Sequence, residues 1–152
     1  MNMLRVSEKL SNGVSPHGRA LIALDDISQG EVIISLEGRV VSTVDKYTIQ
    51  IEEGRHLAPE GNGWALANHS CLPNAAVDFS RFAMIALTHI RPGEEVTFNY
   101  LTTEMDMVEP FFCGCGAPHC PGTVAGFRHL SRPQKLALRP HLSAYLARDL
   151  GE

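Results

Sequence analysis

The sequence predicts a single, mostly β domain with a short helical tail. Three observations predict it: short apolar runs punctuated by Gly, Pro, Asp and Asn over the first hundred residues, a length of 152 residues, and helical periodicity confined to the C-terminus. That length suits one domain with its own core and is short for two.

The strands are read in order. Leu21–Leu24 is a brief apolar run closed by Asp25-Asp26 and the turn residues Gln29-Gly30. Glu31–Leu36 follows, and Glu37-Gly38 turns the chain into Arg39–Thr43. Tyr47–Ile51 alternates with period two, as a half-buried strand does. Ala75–Ser80 and Phe82–Thr88 read as paired strands, and Arg91-Pro92-Gly93-Glu94 as the turn before Glu95–Phe98. Ser131 caps a helix starting near Pro133, and Pro140 suits the first turn of a second. Leu142, Tyr145, Leu146 and Leu150 form one helical face, packed on the sheet or on a second subunit.

Composition narrows the function classes. The apolar fraction is 44% and the formal net charge −4. A negative charge argues against direct nucleic-acid binding, which needs clustered cations, and it is compatible with a basic partner such as a lysine-rich peptide. No apolar run reaches a membrane span, and Met1–Val6 lacks a signal-peptide pattern, so a cytoplasmic protein is expected. The cysteines number four, Cys71, Cys113, Cys115 and Cys120. In a reducing compartment such clustering favours metal ligands or catalytic thiols over disulfides.

Three segments carry chemistry. Asn68-His69-Ser70-Cys71-Leu72-Pro73-Asn74 packs polar and turn-forming residues between apolar strands; read alone, it is equally a plain loop. Arg91–Tyr100 is a turn feeding a short strand, and alone it is an ordinary hairpin ending in a packed tyrosine. Cys113-Gly-Cys115-Gly-Ala-Pro-His119-Cys120 is a C-x-C-x4-C array whose glycines let several sulfurs face one point. Three thiolates leave a tetrahedral zinc one ligand short, so Cys71 is the favoured fourth and His119 its rival; a redox pair is the remaining reading.

Together these segments resemble the SET-domain protein lysine methyltransferases with a post-SET zinc motif. The resemblance runs from about Ala20 to Cys120, and rests on Asn68-His69-Ser70-Cys71-x-Pro73-Asn74, Glu95-Val96-Thr97-Phe98-Asn99-Tyr100 and the C-x-C-x4-C array. It implies a fold of small curved sheets with a knot-like C-terminal crossing, divided as SET domain 1–104, post-SET segment 105–126 and helical extension 127–152. It also implies the site. Arg19, Asn68, His69, Tyr100 and Phe112 would bind S-adenosylmethionine, with Tyr100 catalytic. Tyr47 and Phe98 would line the lysine channel, and Cys71, Cys113, Cys115 and Cys120 would hold one structural zinc.

The implied activity is methyl transfer to a lysine amine of a protein substrate. The alternatives are a non-catalytic zinc-stabilised binding module and a methyltransferase for a small-molecule amine. Three departures from the family pattern stand out: Ala20 replaces the second glycine of the G-x-G segment after Gly18-Arg19, Asn99 replaces an aspartate, and the Tyr47–Asn68 insert is very short. Substrate selection then falls to an open groove or to a homodimer. No general-base carboxylate is assigned.

Overall fold

A computed structural model describes residues 9–15 and 18–151. The strands are β1 (Leu10–Ser15), β2 (Gly18–Ala23), β3 (Val32–Ser35), β4 (Gly38–Val41), β5 (Ile49–Glu52), β6 (Arg55–Pro59), β7 (Asn68–His69), β8 (Ala75–Asp78), β9 (Ala83–Ala86), β10 (Thr97–Phe98), β11 (Phe111–Phe112) and β12 (Thr123–Val124). They form two three-stranded sheets, β3-β9-β8 and β4-β6-β5, and three two-stranded pairs. Among the described strands only β7 and β10 run parallel. Two six-residue helices follow, α1 (Arg132–Ala137) and α2 (Ala144–Asp149). The architecture is the expected one, mostly β with short helices.

Two apolar cores lie under these elements. The larger gathers Leu21, Ile34, Leu57, Trp64, Met84, Val96 and Phe98 from the sheets, with Tyr100 packed against it. The smaller gathers Leu101, Met105, Val124, Phe127, Leu146 and Leu150. The Leu142–Leu150 stripe therefore packs on the segment after Tyr100 within its own chain, and no second subunit is needed to cover it. Gly126 makes that packing close: its φ is +124°, and a Cβ there would lie 2.5 Å from the Met105 carbonyl oxygen.

Several boundaries differ from the sequence expectation. Tyr47 and Thr48 belong to a turn, where the Asp45 carboxylate accepts from both backbone N–H groups, so that strand starts at Ile49. Pro140 sits in a separate 3-10 turn (Arg139–His141), and α2 begins behind its own cap, Ser143, whose hydroxyl accepts from Leu146 N–H. Ser131 caps α1 as expected, in a reciprocal box with Gln134. Of the family's G-x-G segment, Gly18 has φ +105°. Ala20 is a regular β2 residue paired with Gly13, completely buried and with negative φ, so the alanine is accommodated without strain.

Candidate active site and thiolate cluster

Asn68 and Tyr100 meet because β7 and β10 lie side by side, Asn68 opposite Thr97 and His69 opposite Phe98. Asn74 locks the crossing. Its amide accepts from Thr97 N–H at 2.9 Å and donates to the Glu95 carbonyl at 2.8 Å. The chain then bends into the 3-10 turn Tyr100–Thr102, capped by Asn99, whose Oδ1 accepts from Leu101 N–H. Asn99 is buried, and a neutral amide fills that position without the desolvation cost of a carboxylate.

The ring of His69 fixes Tyr100 from the other side. His69 Nδ1 accepts from Tyr100 N–H at 3.1 Å, which leaves Nε2 protonated and facing Cys71 Sγ at 3.4 Å. Burial pulls the imidazole down to about 4, so it stays neutral at physiological pH. Tyr100 packs its ring against His69 and Phe98, with centroids 5.3 and 4.9 Å away. Its hydroxyl donates to the Ala67 carbonyl at 2.9 Å. Burial, and then the charges of Glu95 and Glu104, push its phenol up to about 12, so Tyr100 is a neutral donor.

Three spaces of different size border Tyr100. A wide cleft of about 750 Å³ is lined by Asn68, His69, Glu95, Tyr100, Phe111 and Phe112 among others. Asn68 Nδ2 is committed to the Arg19 carbonyl (2.9 Å) and to Glu95 Oε2 (2.6 Å), which leaves Oδ1 as the unused acceptor of that amide among the described residues. Phe112 presents an exposed ring on the rim. An adjoining space of about 470 Å³ adds Arg19, Lys46 and Tyr47. Amide groups, flat aromatic faces and a carboxylate suit a ligand that carries a heteroaromatic ring and a positive charge, as S-adenosylmethionine does. The third space is narrow, about 40 Å³, and is lined by Tyr47, Phe98, Tyr100, Trp64, Glu104 and neighbours. It admits a thin chain and excludes a bulky one.

The sequence reading missed Glu104. Its carboxyl group is buried in the narrow channel, where Oε2 accepts from Gln50 N–H (2.8 Å) and from the Thr103 hydroxyl (2.7 Å). Burial pushes it up to about 7.

The four cysteines converge, their sulfurs all within 4.8 Å of one another. Cys71 and Cys113 Sγ are 3.8 Å apart. That separation matches the edge of a zinc-thiolate tetrahedron with bonds of about 2.3 Å, and so the donor set fits one zinc. His119 is not among the converging donors; it lines a neighbouring space with Leu130 and His141. As thiols, Cys71 and Cys113 are pushed up by burial, while the Gly122 N–H draws Cys120 down to about 7.

Asn68, His69, Tyr100 and Phe112 thus line the wide cleft, Arg19 the space beside it, Tyr47 and Phe98 the narrow channel, and the four cysteines lie together. Comparison with known proteins agrees with this geometry. The family model for the SET domain matches residues 18–101. Methyltransferase flvH of Aspergillus flavus is 30% identical over 141 residues, covering 89% of this chain and 78% of that protein. A histone-lysine N-methyltransferase, H3 lysine-36 specific, from Emericella nidulans is 33% identical over 99 residues, covering 60% of this chain but only 10% of that much longer protein. Among solved structures, KRYPTONITE in complex with DNA, an H3(1-15) peptide and SAH superposes with a TM-score of 0.60 at 25% identity, covering 80% of this chain and 30% of that one. The paired Asn68 and Tyr100 segments and the span of these matches lead to one conclusion: the chain belongs to the SET-domain family of methyltransferases.

Proposed function

We propose that the protein transfers a methyl group from S-adenosylmethionine to the side-chain amine of a lysine in a protein substrate. One observation carries this reading: Tyr100 stands where the wide cleft and the narrow channel meet, so a cofactor and an alkylamine would approach each other across its hydroxyl. The histone-directed relatives and the H3 peptide bound by KRYPTONITE support a protein substrate. The cysteine cluster would hold a structural zinc, since four thiolates close the shell and leave no coordination site for water.

The chain's own residues have two tasks. The first is positioning. Asn68 and the His69 backbone would hold the cofactor, and the hydroxyl of Tyr100 with the Ala67 carbonyl behind it would fix the line of attack, an effect worth about 7–11 kcal/mol at best. The second is to make the amine neutral, which at pH 7 costs roughly 4–5 kcal/mol for an ordinary lysine. The apolar walls of Phe98, Trp64 and Tyr47 disfavour the ammonium and reduce that cost. Bound S-adenosylmethionine supplies the electrophilic methyl on a sulfonium.

Labelled-cofactor transfer onto lysine-rich peptides tests this proposal. Tyr100→Phe should lose about 10²-fold or more in rate, an order suggested by removal of a single positioned donor, with zinc content and melting temperature little changed. Full activity in that variant would remove Tyr100 from its assigned role. The relative that matches over most of both chains is named only as a methyltransferase, so methylation of a small-molecule amine is the second reading. The same assay with free amines separates the two.

A further inference from the structure

Among the described residues Glu104 is the one buried carboxylate that lines the narrow channel, and no cation pairs with it. It is 7% exposed. Its place is set by backbone: its N–H donates to the Tyr100 carbonyl at 3.0 Å, and its carbonyl accepts from Phe127 N–H at 2.9 Å. Gln50 clamps it from β5, since the Gln50 N–H donates to Glu104 Oε2 while Gln50 Oε1 accepts from Met105 N–H at 3.0 Å. Both bonds to the carboxylate fall on Oε2. Among the described residues no ion pair involves Glu104, and no hydrogen bond to Oε1 is formed.

Other charged and titratable groups border the same space. Asp45, Lys46 and Tyr47 come from the turn before β5, Tyr100 from the 3-10 turn, and Glu109 from the segment after it. Lys46 is the single cation among them, and its Nζ sits over the Tyr47 ring, 5.1 Å from the centroid. Within its apolar walls the channel therefore carries a buried acid that lacks a cationic partner. Buried charges are ordinarily paired, because an isolated one is costly. A pocket that leaves one carboxylate oxygen unbonded is complementary to a cation arriving from outside.

We propose that Glu104 is the ammonium receptor of this channel, selecting a cationic primary amine and accepting one of its protons before methyl transfer. The inference rests on reading the narrow space as the substrate channel. In the first step an N–H bond of the ammonium breaks, the electron pair stays on nitrogen, and the proton moves to Glu104 Oε1. In the second, the nitrogen pair forms the N–C bond as the C–S bond breaks with its pair going to sulfur. The product leaves as a methylammonium, and Glu104 returns its proton to solvent, so one proton is released per methyl transferred. Burial supports the role, because it raises the carboxyl to about 7, where it both accepts and releases a proton at neutral pH.

The test uses the full chain. With ¹³C-labelled glutamate carboxyls, the Glu104 resonance, assigned by its loss in Glu104→Gln, should titrate near pH 7. It should move to lower pH when n-butylammonium is added, and stay in place with 1-pentanol. An unmoved midpoint with n-butylammonium overturns the receptor. In methyl transfer, Glu104→Gln should cut kcat at pH 7 at least tenfold, raise KM for the amine, and recover toward wild type as pH rises to 9–10. A loss uniform in pH would make Glu104 merely structural. The two readings fail separately: a resonance that shifts in a protein that methylates no lysine sinks the proposed function, and an active Glu104→Gln with an unaltered pH profile sinks only the receptor.

Discussion

The two cores of the molecule are built by different means. The core around Leu21, Trp64 and Met84 lies under paired strands, with backbone ladders between residues far apart in sequence, such as β3 with β9 and β4 with β6. The core around Val124, Phe127 and Leu146 has a two-residue strand pair, 3-10 turns and two helices of six residues. Helices that short do not hold themselves in water. The second core depends on a few large side chains and on the thiolate cluster beside it. Tyr100 packs on the first core and its neighbour Leu101 belongs to the second, so the geometry of the site requires both.

The largest effect is therefore expected at the link between the two regions. Cys71 is carried by the loop after β7, while Cys113, Cys115 and Cys120 follow β11. Structural zinc sites show apparent binding energies on the order of 10–16 kcal/mol, which become folding energy where the site forms only in the folded state. Cys71→Ser should reduce zinc from about one per chain to well below that and lower the melting temperature. Amide exchange should then accelerate across 105–130, including the cleft wall at Phe111 and Phe112, before it does so in β8 and β9. A stoichiometric zinc content in this variant would show that Cys71 is not needed as a ligand.

A cavity in the second core comes next. Phe127 is fully buried and stands between Leu101, Val124 and Leu146. Phe127→Ala should cost about 3–5 kcal/mol in denaturant unfolding, as large-to-small core substitutions do. Separate transitions by Trp64 fluorescence, which reports the first core, and by far-UV dichroism would show that the cores unfold independently. Coincident transitions would show that the zinc link and the Tyr100–Leu101 seam make them one cooperative unit.

What was legible in the sequence follows the same division. The crossing of Asn68 and Tyr100 and the convergence of four cysteines were readable because each depends on local motifs whose order is preserved. Ala20 was legible as a departure, but its fit to the backbone was not, since only the register with Gly13 shows it to be an ordinary strand residue. Arg55–Pro59 lacks clear alternation, yet it becomes the central strand of its sheet because β4 and β5 flank it. Pro140 suits the start of a helix, but the chain ends a 3-10 turn there and restarts at Ser143, whose backbone N–H is drawn to the Thr102 carbonyl at 2.9 Å. Glu104 was hidden for a related reason. Thr102-Thr103-Glu104 reads as a polar link, and its burial is imposed by Gln50, 54 residues earlier.

That imposed burial gives the smallest of these effects, and its sign is fixed by linkage. Burial pushes the Glu104 carboxyl up to about 7, from the ordinary 4.5 of a glutamate. The folded state thus binds this proton more tightly than the unfolded chain does. The stability associated with it is fully present below about 4.5 and is lost as pH rises through 7. Between pH 5 and 8 the loss should be on the order of 3 kcal/mol, from a shift of two to three pH units at about 1.4 kcal/mol each. Glu104→Gln retains an acceptor for Gln50 N–H and Thr103 while removing the charge. It should therefore show no such decline, and should be more stable than wild type at pH 8 and close to it at pH 5. Chemical denaturation at the two pH values measures the difference. If wild type and variant decline in parallel, Glu104 is ionised in the folded protein at no cost, and the channel is wetter than its walls suggest. If only the wild type declines, and n-butylammonium restores it at pH 8, the missing stability is that of a carboxylate waiting for a cation.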